Sequence, residues 1–150
     1  MNVKEAISEI ININKIIVDK KIDKLLPRTK EMQEAYNGVV KPLLSKFRDK
    51  YGKTERNFIK ELLQNSNYNE INNLKIQTFG NWGRKVNPYI WASIFIENER
   101  NSASDSLQLH ILIDSKGLKF GFGYGDNINT SHSLVKDIPN DKSSQQIILD

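Results

Sequence analysis

Leu107-Gln108-Leu109-His110-Ile111-Leu112-Ile113-Asp114, then Ser115-Lys116-Gly117, then Leu118-Lys119-Phe120-Gly121-Phe122-Gly123-Tyr124 is the stretch that decides the class of this chain. On both sides of Asp114-Ser115-Lys116-Gly117 the residue types alternate with the period of two that strand side chains follow. Asp and Gly bracket a tight turn, so the stretch predicts an antiparallel hairpin. In its first arm Leu107, Leu109, Ile111 and Ile113 are expected inward, against Gln108, His110 and Leu112. In its second arm Leu118, Phe120, Phe122 and Tyr124 share one face, and Lys119, Gly121, Gly123 and Gly125 the other. Glycine weakens a strand, so its repetition marks a face that something approaches closely. The candidates are a helix or strand of the same chain, or a ligand or nucleic-acid backbone.

Working back toward the N-terminus, Tyr89 to Ile96 is a longer strand, with Tyr89, Trp91, Ser93 and Phe95 on one face and Ile90, Ala92, Ile94 and Ile96 on the other. Both faces are apolar enough for a central, covered strand, in which Trp91 and Phe95 are read as core. Leu74, Ile76 and Thr78 alternate with Lys75, Gln77 and Phe79 in a shorter strand before it. Upstream of Glu70 the period lengthens to three and four, the spacing of amphipathic helices. One helix is expected from Val3 to Leu26, ended by Pro27. A second starts after Thr29 as N-cap and runs to Tyr51-Gly52, with a kink or break where Pro42 cannot donate to the Gly38 carbonyl. A third starts at Thr54, buries Phe58, Ile59, Leu62 and Leu63, and gives way to a polar loop from Gln64 to Asn69. The expected class is α+β, with N-terminal helices packed on a mainly antiparallel sheet of about four strands.

With 150 residues the chain has the length of a single domain. It has no cysteine, hence no disulfide framework, thiolate nucleophile or thiolate zinc site. No apolar run approaches a membrane span, and the start Met1-Asn2-Val3-Lys4-Glu5-Ala6 lacks the apolar core of a secretory signal, so a cytoplasmic protein is expected. The net charge of +4 is unevenly placed. Residues 1–53 hold 12 Lys and Arg against 7 Asp and Glu, a balance of +5, so the surplus belongs to the helices. Beyond Asn127 the chain is polar and turn-rich, then ends Gln146-Ile147-Ile148-Leu149-Asp150. That apolar cluster is expected to be a closing strand or helix, or to precede a further element of a longer protein.

Catalytic groups are sparse. His110 and His132 lack metal-ligand spacing, and Gly121-Phe122-Gly123-Tyr124-Gly125 lacks the lysine and helix of a phosphate-binding loop. Asp114 with Lys116 has the acid-x-lysine spacing of a metal-dependent nuclease, but a turn position explains Asp114 better. Neither a catalytic residue nor a cofactor is expected. By contrast, Ile71 to Ile96 contains no Asp or Glu, and Lys75, Arg84 and Lys85 occur there among Phe79, Trp82, Tyr89, Trp91 and Phe95. The exposed part is expected to be the loop Phe79-Gly80-Asn81-Trp82-Gly83-Arg84-Lys85-Val86-Asn87-Pro88. Arg84 and Lys85 suit phosphates, Trp82 or Tyr89 an unstacked base, and Asn81 an adenine edge or a flipped base. Trp82 also reads as a plug closing the end of the sheet.

Gly80-Asn81-Trp82, the Pro88-opened strand to Phe95, the strand Leu107 to Asp114 and the turn and strand Gly117 to Gly125 resemble the DNA-binding N-terminal domain of McrB-type, modification-dependent restriction proteins. The resemblance spans about a third of the chain, Phe79 to Gly125, and departs where Pro88 is followed by Tyr89-Ile90-Trp91 rather than directly by Trp. It implies a non-catalytic reader of double-stranded DNA that flips a methylated or otherwise modified base into a pocket. It also implies a GTPase motor domain elsewhere in the full-length protein. The expectation is therefore a DNA-binding specificity domain of a restriction or defence system, with Lys75, Arg84 and Lys85 on phosphates, Trp82 or Tyr89 on a base, Asn81 beside it, and Lys119 on the glycine face as a further contact. The alternative is a protein-interaction or assembly module without nucleic-acid binding; a metal-dependent nuclease using Asp114 and Glu97 stands third.

Overall fold

The computed structural model describes residues 2–64, 74–79, 85–97 and 102–124. Helix α1 spans Val3–Asp19, with the Asn2 side chain accepting from the Glu5 N–H as N-cap. It stops seven residues before the expected end at Leu26. Lys20 caps it by donating to the Ile16 carbonyl, and Lys21 then adopts a left-handed conformation at φ 55°. The chain turns there, and a short 3-10 turn, Ile22–Lys24, returns Ile22 to the core. The apolar periodicity continued past Asp19 because both segments serve the same interior.

Thr29 caps α2, Lys30–Ala35, by accepting from the Met32 N–H at 3.2 Å. A π-helical turn, Tyr36–Val40, joins it to α3, Lys41–Tyr51. The expected disturbance at Pro42 takes this form: the Lys41 N–H reaches five residues back to the Tyr36 carbonyl. A helix widened by one residue accommodates a proline that has no N–H and whose ring crowds the carbonyl behind it. Gly52 closes α3 at φ 71° and donates to the Arg48 carbonyl at 2.7 Å. Helix α4, Glu55–Gln64, buries Phe58, Ile59 and Leu63. The expected loop after it falls in 65–73, outside the described residues.

Strands β1 (Leu74–Phe79), β2 (Tyr89–Ile96), β3 (Leu107–Asp114) and β4 (Leu118–Tyr124) form an antiparallel sheet in the order β1-β2-β3-β4. Directly paired residues share a face, so register assigns both sides of the sheet. Ile76 pairs with Ile94, Ile90 with Ile113, and Ala92 with Ile111, all on the side covered by helices. Helix α1 lies over β3 and α4 over β1 and β2, while α3 packs on both helices. Phe47 fills the seam between them, with its ring 4.6 Å from that of Tyr51 and 6.1 Å from that of Phe58. One polar group crosses this apolar interior: Asn14 of α1, fully buried, donates from Nδ2 to the Ile113 carbonyl at 3.0 Å.

Two expectations about the sheet need correction. Leu109, expected inward, is exposed, because the helices run out at β3 and leave Leu109 and β4 beyond their edge. The glycine face of β4 is approached closely, and among the described residues the group that does so at Gly121 is a side chain of the neighbouring strand. His110 pairs directly with Gly121, and its imidazole occupies the space a side chain would take: a Cβ on Gly121 would lie 2.2 Å from His110 Nε2.

Candidate nucleic-acid interface

The sheet's far face, opposite the helices, carries the residues on which the functional reading turns. Its half nearest Glu97 is closed. The 3-10 turn Ala103–Asp105 packs there, its Ala103 N–H donating to Gln77 Oε1 at 3.2 Å. Beneath it Phe95 is buried and the Ser93 hydroxyl donates to the Gln108 amide oxygen. Polar groups in this half are therefore spent on one another, as burial requires.

The other end of the far face is different. Tyr89 pairs with Asp114, and Trp91 pairs with Leu112, which pairs with Lys119. Register thus places Tyr89, Trp91 and Lys119 together, at the end where the β3–β4 turn and the approach to β2 both lie. Tyr89 and Trp91 are half-buried, so Trp91, expected in the core, presents part of its surface here. Lys85 is exposed four residues before β2, and its neighbour Val86 is buried in the core. The expected loop is consequently anchored by Val86 rather than exposed throughout. Asn81, Trp82 and Arg84 lie outside the described residues, as do His132 and Gly125.

Lys116, weighed from the sequence only as a nuclease-type lysine beside Asp114 and not as a DNA contact, is exposed in the hairpin turn at the same end. The signal was available, since a lysine between Asp114 and Gly117 in a two-strand turn must project from the end of the hairpin. Asp114 itself is committed to that turn. Its Oδ1 accepts from the Lys116 N–H at 2.7 Å and the Gly117 N–H at 3.0 Å, and its Oδ2 accepts from Lys119 Nζ. The hydrogen bond from Lys119 holds its carboxyl below the usual range; partial burial opposes this, and the two backbone donors reinforce it. Lys119 is thus half of an exposed ion pair that a phosphate would have to compete for.

Lys75 does not join this group. It pairs in register with Phe95, six residues along β2 from Tyr89, which puts it about 20 Å from that end. Its Nζ lies 3.0 Å from Glu97 Oε1. A still larger separation, eight residues or about 26 Å, divides the two acids of the nuclease reading: Asp114 pairs with Tyr89 at one end of β2, and Glu97 follows its other end. Among the described residues no group of three or more His, Asp or Glu comes together in a metal-holding arrangement. No described helix is long and apolar enough to cross a membrane.

The helices' positive surplus has two fates. Lys50 bridges Glu5 at 2.7 Å and Glu9 at 3.0 Å, and the Tyr51 hydroxyl donates to Glu9 at 2.9 Å. Burial alone would raise the Glu9 carboxyl, but the hydrogen bonds from Lys50 and Tyr51 outweigh it and hold it below the ordinary value. Elsewhere Lys41, Arg48 and Arg56, together with Glu55, line a cleft of about 240 Å³ between α3 and the start of α4, where Arg48 Nη2 donates to Ser45 Oγ at 3.0 Å and to Asp49 Oδ1 at 3.2 Å. The chain matches no known family model, no curated protein and no solved structure. The likeness to McrB-type domains is carried by its short sequence segments alone.

Proposed function

We propose that this chain is a DNA-binding specificity domain of a restriction or defence system, reading a base, in modified form, with aromatic side chains at one end of its sheet. The observation that supports this reading is the convergence of Tyr89, Trp91 and Lys119 with the exposed Lys85 and Lys116 at one end of the far face. Aromatic surface beside several cations is what an unstacked base and its flanking phosphates require. Lys75 contributes little on this reading, being at the other end and engaged with Glu97. The GTPase motor and the cytoplasmic setting belong to the same proposal.

Gel-shift titrations of modified and unmodified duplexes at two salt concentrations test it. Binding should weaken steeply with salt, and Lys85→Ala and Lys116→Ala should each lower the salt slope by about one without changing preference. Trp82→Ala or Tyr89→Ala should instead reduce discrimination between the duplexes. No binding to any duplex at low salt would sink the proposal. A second reading, the interaction module, has an observation of its own: Leu109, Leu118, Phe120 and Phe122 are all exposed on the helix side of the sheet. Patches of that kind on a sheet edge mark contact surfaces.

A further inference from the structure

The sharpest departure from ordinary packing is that apolar edge. Phe120 is 65% exposed, Leu109 45%, Phe122 44% and Leu118 39%, and register places all four on the helix side of β3 and β4. Between them and the end of α4 runs a groove of about 420 Å³ walled mainly by Leu62, Leu63, Leu109 and Phe120, with His110 and Gly121 also in its lining. Its lining holds no Lys, Arg, Asp or Glu and only one polar side chain, the His110 imidazole at its far-face end, so it suits a mainly apolar occupant. β4 is also the last strand of the sheet order, with its outer backbone edge unpaired by any described strand.

We infer that this groove is the docking site of the chain's own segment Ile147-Ile148-Leu149. That segment is the longest run of large aliphatic residues after Tyr124, and it is set off by Gln145 and Gln146 before it and Asp150 after it. Residues 125–146, which separate it from β4, are mostly polar. Twenty-two residues can span at most about 75 Å, whereas Phe120 lies four residues, about 13 Å, back along β4 from Tyr124. The chain is therefore long enough for the segment to reach the groove, and a covalent link of this length corresponds to an effective concentration of roughly millimolar. A second copy of the chain competes at only its bulk concentration. Three aliphatic side chains also match a groove of this volume in chemistry and size. The inference is independent of the nucleic-acid reading, which concerns the opposite face of the sheet.

The absence of cysteine allows a clean test in the full chain. Phe120→Cys with Ile148→Cys probes the groove, and Lys119→Cys with Ile148→Cys is the control on the opposite face, one residue away along the same strand. Tethering alone gives the two pairs similar effective concentrations, so docking is read from the difference: the groove pair should form its disulfide about tenfold faster, within the monomer. Independently, the triple substitution Ile147→Asp, Ile148→Asp and Leu149→Asp should leave the helical circular dichroism intact and raise the binding of an apolar-surface dye several-fold. Equal crosslinking rates at both positions would overturn the inference, as would unchanged dye binding. Disulfide-linked dimers that grow with concentration would overturn it in favour of a second copy as occupant.

Discussion

Replacing Gly121 with alanine puts the closest contact of the sheet to a quantitative test. Gly121 has no left-handed backbone angle, so alanine is compatible with its conformation, and Gly→Ala at such a site stabilises by about 0.4–1 kcal/mol through the unfolded chain. Against this, the new Cβ would lie 2.2 Å from His110 Nε2, 2.6 Å from Cε1 and 3.0 Å from Cδ2. The imidazole is the mobile partner, and swinging it off its rotamer costs about 0.5–1.5 kcal/mol, with its contact to the strand lost as well. The net effect of Gly121→Ala is therefore a destabilisation of about 0–1 kcal/mol. In a His110→Ala background the obstacle is gone, and the same substitution should stabilise by about 0.4–1 kcal/mol. Gly123 is the internal control: its Cβ would meet His110 Cε1 at 3.7 Å, an ordinary contact, so Gly123→Ala should be neutral or stabilising in both backgrounds. Urea denaturation of the five variants and the parent, with the denaturant slope checked for constancy, reads these differences. Additivity of Gly121→Ala and His110→Ala to within about 0.3 kcal/mol would refute the claim that His110 occupies the glycine's space.

Phe47→Ala should cost about 3–5 kcal/mol, read as a fall in the denaturant midpoint, because Phe47 is fully buried among α1, α3 and α4 and no neighbour can collapse into its place without losing the Tyr51 and Phe58 contacts. The Lys50–Glu5–Glu9 bridge gives stability a pH dependence of known sign. Glu9 is held below its ordinary value of 4.5, so its contribution is present above about pH 4.5 and is lost as pH falls through its depressed folded value. Lys50 is held above 10.5, chiefly by the hydrogen bond to Glu5 and then that to Glu9, so its contribution is present below that pH and is lost as pH rises through its raised folded value. Lys50→Met should therefore flatten both limbs of a stability-against-pH curve; two unchanged limbs would show that the bridge does not persist in solution.

Much of the fold could be read from local pattern, for an identifiable reason. All four strands begin and end where the alternation does, because turn chemistry at Asp114 and Gly117 and the shift of period after Glu70 are properties of adjacent residues. The caps Thr29 and Gly52 are visible for the same reason. What escaped notice depends on distant partners. Asn14 interrupts the apolar stripe of α1 and reads as solvent-facing until its amide is seen to bond the carbonyl of Ile113, 99 residues away. Asp19 ends α1 because Lys21 turns left-handed, and nothing in the stripe announces that. The candidate interface divides in the same way. Tyr89 and Lys85 were legible from composition, while the separation of Lys75 from them follows only from strand register.

The alternation in β4 shows how face assignment can be right while burial comes out inverted. Leu118, Phe120 and Phe122 share a face, and Gly121 and Gly123 share the other, as their spacing requires. A two-residue period, however, says only that the faces differ, not which one is covered. Coverage depends on where the helices end, and here α1 lies over β3 and α4 over β1 and β2, while neither packs closely on β4. The phenylalanines are left at the rim while the glycines lie under His110, a side chain of the same sheet. The glycines therefore need no ligand to explain them, which removes the strongest sequence argument for a nucleic-acid backbone crossing that part of β4. The nucleic-acid reading now rests on the end of the far face alone, where Tyr89, Trp91 and Lys119 meet Lys85 and Lys116. The exposed phenylalanines pose the opposite question, of what covers them, and the nearest sufficiently apolar candidate by chain connectivity is Ile147-Ile148-Leu149.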